Sequence, residues 1–274
     1  MTIPLRGRTA FITGASRGIG KAIAQRLAAE GVGVVVTGKT VEPHTKLPGT
    51  IYTTAEEIRS AGGSSIAVPM DVRDEAQVAN AVDRAISEFG RIDILVNNAS
   101  AISLTGTAIT PMKRFDLMYQ VNVRGTFLCT QKCFPHLKRA AGAHVLNIAP
   151  PLNFAPRWFA PHAAYSISKY GMSLCVLGMA EEFRAECIAV NALWPRTIID
   201  TAALTLIPGV DRSRGRTPAI VADAACEILA RDPSTCTGRF FIDEDVLREL
   251  GVTDFSRYRA DPSSGDEPLE DLFL

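Results

Sequence analysis

The sequence predicts a single doubly wound α/β domain, one parallel sheet with helices on both faces. Three observations predict it. Short apolar runs alternate along the chain with segments of helical periodicity, the pattern of successive βαβ units. A glycine-rich turn joins the first apolar run to the first helical segment. The 274 residues, 47% of them hydrophobic, suffice for one sizeable core, with no internal repeat or low-complexity segment to divide it.

In order, apolar strands read at 9–13, 33–37, 65–69, 92–97, 144–148 and 188–193, with a last one at 238–242. Helical periodicity fills 18–30, 53–61, 75–89, 112–138 and 163–184 between them. After Pro195 the chain is irregular, with Pro208-Gly209, Arg212-Ser213-Arg214-Gly215-Arg216 and Pro218. From Ala260 it is rich in Pro, Ser, Gly and acid. We therefore expect a domain over 1–259 and an acidic tail over 260–274, either disordered or packed against a neighbouring subunit.

Composition narrows the function. Twenty-nine basic and 29 acidic residues cancel, so nothing points to nucleic acid or an anionic membrane surface. No uncharged apolar run reaches about 18 residues, the length of a membrane span, and the N-terminus enters a strand without the pattern of a signal peptide. Cys129, Cys133, Cys175, Cys187, Cys226 and Cys236 form no C-x-x-C pair and no zinc spacing. Free thiols in a reducing, cytoplasmic setting and no metal site are expected.

Two motifs carry chemistry. Tyr165-Ser166-Ile167-Ser168-Lys169 places a phenol and an ammonium four residues apart, on one helix face. A lysine charge beside a tyrosine favours the phenolate and draws the pKa down from about 10, which suits a general acid–base. The other motif is Thr13-Gly14-Ala15-Ser16-Arg17-Gly18-Ile19-Gly20. Its glycines permit a tight turn and a close approach by pyrophosphate, and the helix that follows offers free N–H groups and a positive dipole end. The spacing Gly14-x-x-x-Gly18-x-Gly20 is not the familiar G-x-G-x-x-G, but with a strand before it and a helix after it a Rossmann-type dinucleotide-binding turn is expected.

The second strand ends Val36-Thr37-Gly38-Lys39-Thr40, with no acid where an NAD-preferring site keeps one for the ribose hydroxyl. Lys39 stands there, and Arg17 is a second cation nearby. Two cations without a carboxylate suit a 2′-phosphate, so NADP(H) is expected over NAD(H); the alternative is that both are solvated surface charges.

Together, the Thr-Gly-x-x-x-Gly-x-Gly turn, Asn97-Asn98-Ala99-Ser100, Asn122 in Val121-Asn122-Val123 and the Tyr165/Lys169 pair resemble the short-chain dehydrogenase/reductase family in order and spacing, over roughly residues 5–246. Pro150-Pro151-Leu152-Asn153 and Asn191-Ala192-Leu193-Trp194-Pro195 resemble its hydroxysteroid dehydrogenase-like group. Some members of that group carry a sterol-carrier-like domain, which a chain of this length is not expected to hold. The resemblance implies hydride transfer between an alcohol and a carbonyl. Tyr165 would be the acid–base, Lys169 would also bind the nicotinamide ribose, and Asn122 would hold a backbone kink and a relay water. Gly14, Ser16, Arg17, Gly18, Ile19 and Gly20 would cradle the diphosphate. Lys39 and Asp71 would fix the adenosine end, with Asp71 accepting from the adenine amino group or capping the helix near Asp74. Asn98 and Pro195 would line the cofactor groove. A homodimer or homotetramer through the helices at 112–138 and 163–184 is implied as well.

The pattern breaks at two places. The serine that family members place after the fifth strand is missing: Asn147-Ile148-Ala149-Pro150 puts Ala149 and Pro150 there, and neither side chain has a donor. Asn153 or a backbone N–H could stand in; otherwise the enzyme is slow, or the protein binds nucleotide without turnover as a sensor or scaffold. The usual Pro-Gly after the sixth strand reads Pro195-Arg196, and Arg196 would meet an acidic substrate, the diphosphate or solvent. Arg157, Trp158 and Phe159 are expected beside the substrate pocket, suiting an acyl, steroid or other lipid-like carbonyl unless they simply pack. The long 40–50 loop, with His44 and Lys46, would fold over the adenosine or form a surface insertion.

Overall fold

A computed structural model describes residues 2–43, 47–207 and 209–274. Seven parallel strands form one sheet in the order β3-β2-β1-β4-β5-β6-β7. They are β1 (Thr9–Ile12), β2 (Gly33–Gly38), β3 (Ser65–Pro69), β4 (Ile94–Asn97), β5 (Ala143–Ile148), β6 (Ile188–Trp194) and β7 (Phe240–Ile242). The helices are α1 (Gly18–Ala29), α2 (Ile51–Ser60), α3 (Glu75–Phe89), α4 (Met112–Met118), α5 (Gly125–Leu137), α6 (Ala163–Glu182), α7 (Ala219–Leu229) and α8 (Asp243–Glu249). The strands β1, β4 and β6 are buried on both faces, as their unbroken apolar runs require.

Two apolar layers sandwich the sheet. Ile23 and Leu27 of α1, Ile58 of α2 and Ile220 and Leu229 of α7 pack on one face. Val78 and Val82 of α3, Cys133 of α5 and Met172 and Val176 of α6 pack on the other. Each such side chain contributes on the order of 1.5–3 kcal/mol by leaving water. The strand order reverses between β1 and β4, and ligands of doubly wound sheets bind in the crevice this opens beyond the strand ends.

The six longer strands and the first helices fall where the apolar pattern puts them. Three differences have physical causes. The helix expected over 112–138 is interrupted by a π-helical turn at Tyr119–Arg124, an extra residue per turn that hydrophobic spacing does not reveal. The irregular stretch after Pro195 contains α7, whose run Ala219–Leu229 is apolar almost all round and buried, so it carries little amphipathic signal. The acidic tail packs on its own chain: Phe273 is fully buried and its ring lies 5.4–6.1 Å from those of Tyr170, Trp194, Trp158, His162 and Tyr165.

Candidate active site

At the β1–α1 turn the chain builds an anion cradle. Gly14 and Gly18 take φ of 66° and 56°, conformations that L side chains rarely adopt. Thr13 Oγ1 accepts from the backbone N–H groups of Asn98 and Ala99, both at 3.0 Å. Asn98 Nδ2 donates back to the carbonyls of Thr13 at 2.9 Å and Gly14 at 3.0 Å. Asn98 thus laces the end of β4 to the turn, and its place in the cavity wall follows from that. A Cβ at Gly20 would lie 2.7 Å from the Gly14 carbonyl oxygen and would overlap the Asn98 amide. Gly20→Ala is therefore expected to displace that lacing, costing about 1–3 kcal/mol of stability and weakening NADPH binding, as read by thermal melting and fluorescence titration.

The residues here fit a dinucleotide. The N-terminus of α1 presents its free N–H groups to the cavity. Arg17 immediately precedes α1 and donates through Nη2 to the Gly49 carbonyl at 2.9 Å. Its Nε is buried without a partner, and burial lowers its pKa: a cation short of an anion, at the N-terminus of a helix.

At the other side of the turn, Lys39 and Asp71 face the same cavity. Arg73 grips Asp71 in a bidentate pair, Nε to Oδ1 at 2.9 Å and Nη2 to Oδ2 at 2.6 Å, and holds its carboxyl below the usual range, with Lys39 adding a smaller pull. Asp71 does not cap α3; Asp74 does, accepting from the N–H groups of Ala76 and Gln77. His44 and Lys46 lie outside the described residues.

Tyr165 and Lys169 share one face of α6, both buried and both lining the cavity. Lys169 Nζ donates to the Ile148 carbonyl at 2.6 Å and lies 5.0 Å from the centre of the Trp194 ring. Burial lowers its pKa to about 7, against the pull of Asp271. The Tyr165 phenol is pushed up, by burial first and by the Asp271 carboxylate second. That reverses the expectation that Lys169 would draw it down: the ammonium is engaged with Ile148 and Trp194, and the ring is covered by Phe273.

Asn122 sits in the π-helical turn, fully buried. Its Oδ1 accepts from the Ala101 N–H at 2.8 Å, and its Nδ2 donates to the Ala101 carbonyl at 3.0 Å and to Ser168 Oγ at 2.9 Å. Its side chain is fully used in fixing the loop after β4 to the residue before Lys169, so it acts from behind the cavity wall.

The C-terminal segment closes the cavity at the Tyr165 end. Ile198 N–H donates to the Leu269 carbonyl at 2.9 Å, Asp271 N–H to the Arg196 carbonyl at 3.0 Å, and Trp194 Nε1 to the Leu272 carbonyl at 2.8 Å. Glu270, Asp271 and Leu272 consequently join the cavity wall, which composition-based reading of the tail missed. The only sequence signal for them is the apolar Leu272-Phe273-Leu274 after an acidic stretch.

Several expected substrate contacts lie elsewhere. Trp158 packs on Phe273 at 6.0 Å and Phe159 stacks on Tyr170 at 5.1 Å, so these aromatics seat the C-terminal segment rather than line the cavity. Arg196 donates to both oxygens of Asp245 at 2.8 Å, which turns it toward α8 and away from cofactor or substrate. Asn153 is no stand-in for the serine: its Oδ1 accepts from Ala155 N–H and its Nδ2 donates to the Leu274 carbonyl. Ala149 N–H is taken by the Leu193 carbonyl at 3.2 Å.

One cavity of about 790 Å³ joins these parts. Gly14, Ser16, Arg17, Gly18, Ile19, Lys39, Asp71, Asn98, Tyr165, Lys169 and Pro195 all line it; Gly20 and Asn122 support it from beneath. With that arrangement in view, residues 8–207 match the family model described as short chain dehydrogenase. The chain belongs to the short-chain dehydrogenase family. Members of that family are oxidoreductases acting on CH–OH groups with NAD(P). The chain is 55% identical over 271 residues to hydroxysteroid dehydrogenase-like protein 2 of Danio rerio and 56% identical over 272 residues to that of Homo sapiens; each match covers 98% of this chain and 64% of the relative. The chain thus spans less than two thirds of those relatives' length. A crystal structure of a putative dehydrogenase from Xanthomonas campestris superposes with a TM-score of 0.96 at 51% identity, covering 99% of both chains. Among the described residues of this dehydrogenase fold, no helix is long and apolar enough to cross a membrane, and no cluster of His, Cys, Asp or Glu could hold a metal ion.

Proposed function

We propose that this protein transfers hydride reversibly between NADP(H) and an alcohol or carbonyl, with Tyr165 as the acid–base. The carrying observation is that the anion cradle and the Tyr165/Lys169 pair open into one cavity. When bound, the nicotinamide supplies or accepts the hydride. Tyr165 gives its phenolic proton to the carbonyl oxygen, or takes the alcohol proton in reverse. Lys169 holds the ribose, and Asn122 fixes the backbone behind it and Tyr165. Gly14, Ser16, Gly18, Ile19 and Gly20 shape the diphosphate cradle, with Asn98 lacing it and Pro195 bordering the nicotinamide end.

NADP(H) is favoured over NAD(H) by two cations at the adenosine end, Lys39 exposed and without an ion pair among the described residues, Arg17 with its orphan Nε. The carboxylate on which Lys39 acts, Asp71, is already paired with Arg73. Lys39→Ala is expected to raise the KM for NADPH roughly tenfold, one charge-assisted hydrogen bond, with little change for NADH. Steady-state kinetics with both cofactors check it; equal losses for both would assign the site to NAD(H).

The substrate end is lined by Leu104, Leu117, Met118, Ile198, Ile207 and Leu272, apolar walls that suit a lipid-like carbonyl. Exposed Phe127 on α5 and Ile167, Leu174 and Leu177 on α6 form the apolar face through which we assign a homodimer or homotetramer. Six free cysteines suit the cytoplasm. The missing serine favours a second reading, a nucleotide-binding sensor or scaffold with little turnover. The experiment that separates them follows NADPH absorbance against aldehydes, ketones and diketones of increasing chain length. Consumption supports the enzyme; tight NADPH binding with none consumed supports the sensor.

A further inference from the structure

Beside Tyr165, the serine position offers the reacting oxygen no side-chain donor, and the C-terminal segment brings a carboxyl group into the same cavity. We propose that Asp271 supplies the hydrogen bond to the reacting oxygen that Ala149 lacks, forming the substrate-binding triad with Tyr165 and Lys169; this rests on the oxidoreductase reading above.

Three observations carry it. Asp271 lines the cavity with Tyr165 and Lys169 and acts electrostatically on both. Its position is fixed on both sides: its own N–H is held by the Arg196 carbonyl, the Leu272 carbonyl by Trp194 Nε1, and Phe273 fills a ring-lined socket. A group anchored this way keeps the geometry that binding an oxygen demands. The third is its free valence. Asp271 Oδ1 accepts only from the Leu272 N–H at 2.7 Å, and Oδ2 has no protein partner among the described residues. The serine position and its neighbours are spent, as the bonds of Ala149 and Asn153 show.

The charges facing Asp271 decide its protonation. Lys169 on α6 favours the carboxylate, whereas Asp243 at the start of α8, buried with Oδ2 unpartnered, disfavours it. Arg196 contributes only its backbone, since its guanidinium is engaged by Asp245 and lies 3.8 Å from Glu244; Glu244 is in turn paired with Arg216 and Arg248. Burial, the largest cause, lifts the Asp271 carboxyl to about 7, so about half of it carries a proton to donate at pH 7 and most of it does below that. In reduction, the carbonyl carbon gains the hydride, the oxygen gains the Tyr165 proton, and Asp271 retains its own, pointing it at an oxygen lone pair. Only the nicotinamide is oxidised. In oxidation the same bond is made to the alcohol oxygen, whose proton passes to Tyr165.

The test uses the full chain with NADPH and 2-decanone, a ketone matched to the apolar walls. Asp271→Ala is expected to lower kcat/KM by about 10²-fold, as loss of one oxyanion donor does, with NADPH affinity unchanged. Asp271→Asn, which keeps a donor, should lose less than tenfold and flatten the decline in reduction rate as pH rises through 7. Ala149→Ser on the Asp271→Ala background should restore most of the loss. Activity of Asp271→Ala within threefold of wild type overturns the proposal. So does a decline that moves to lower pH in Asp271→Asn, because that marks Lys169, which loses the carboxylate that raises its pKa. A second arm is independent of turnover. The ¹³Cγ resonance of Asp271 is titrated with NADP⁺ bound, with and without 2-decanone, in wild type and Tyr165→Phe. A pKa raised by the ketone in both supports the proposal even if hydride transfer is never seen; no shift overturns it.

Discussion

Tyr165→Phe is expected to reduce carbonyl turnover by about 10²–10⁴-fold, the contribution of a positioned general acid, while leaving NADPH affinity within about twofold. The prediction is sharp because the hydroxyl has no structural duty. It makes no hydrogen bond to the protein among the described residues, whereas the ring packs against Phe273 and His162 at 6.1 and 6.0 Å. Phenylalanine keeps those contacts and removes only the proton donor, and no buried partner is left unsatisfied. The burial that raises the Tyr165 pKa also sets the direction in which the group works best. A phenol that holds its proton at neutral pH rests in the protonation state that carbonyl reduction requires. Stopped-flow NADPH absorbance against 2-decanone, paired with fluorescence titration of NADPH, measures both halves. A variant that binds NADPH normally and still turns over would remove Tyr165 from the reaction.

Most of the glycine-rich turn was legible in the sequence because its geometry is carried by backbone. A turn that must pass between β1 and α1 with φ positive at Gly14 and Gly18 can be written with few residues other than glycine, so the letters disclose the geometry. The Tyr165/Lys169 pair was legible for a similar reason: helical spacing alone places both on one face. What the sequence concealed depends on contacts between distant segments. Arg196 could have faced cofactor or solvent until Asp245, 49 residues later, was seen to take it. The direction of the Tyr165 pKa depended on whether anything covered the ring. The cover comes from Phe273, in a stretch whose proline, serine and acid content imitates disorder. Local composition weighs each residue equally, but one fully buried aromatic ring outweighs several solvated neighbours.

That imbalance makes Phe273→Ala the most revealing change in the C-terminal segment. Phe273 holds φ at 75°, a conformation costing a non-glycine residue about 1–3 kcal/mol, and its buried ring offsets that cost. Truncating a buried phenylalanine removes about 3–5 kcal/mol, while alanine at the same φ remains strained. The segment is therefore expected to leave its socket rather than repack. Hydrogen exchange should report faster exchange at 267–274, including the Asp271 amide held by Arg196, with the sheet unchanged because opening is local. Undocking should follow pH with a defined sign. Asp271 has its pKa raised in the docked state, from an ordinary 3.8 to about 7, so docking is strongest below about pH 4 and weakens as pH rises to 7. The wild-type segment should accordingly be better protected at pH 5.5 than at pH 8 after correction for intrinsic exchange, and Asp271→Asn should abolish the difference. A Phe273→Ala chain that exchanges like wild type would mean that the backbone bonds from Ile198 and Arg196, not the ring, keep the segment over the Tyr165 phenol.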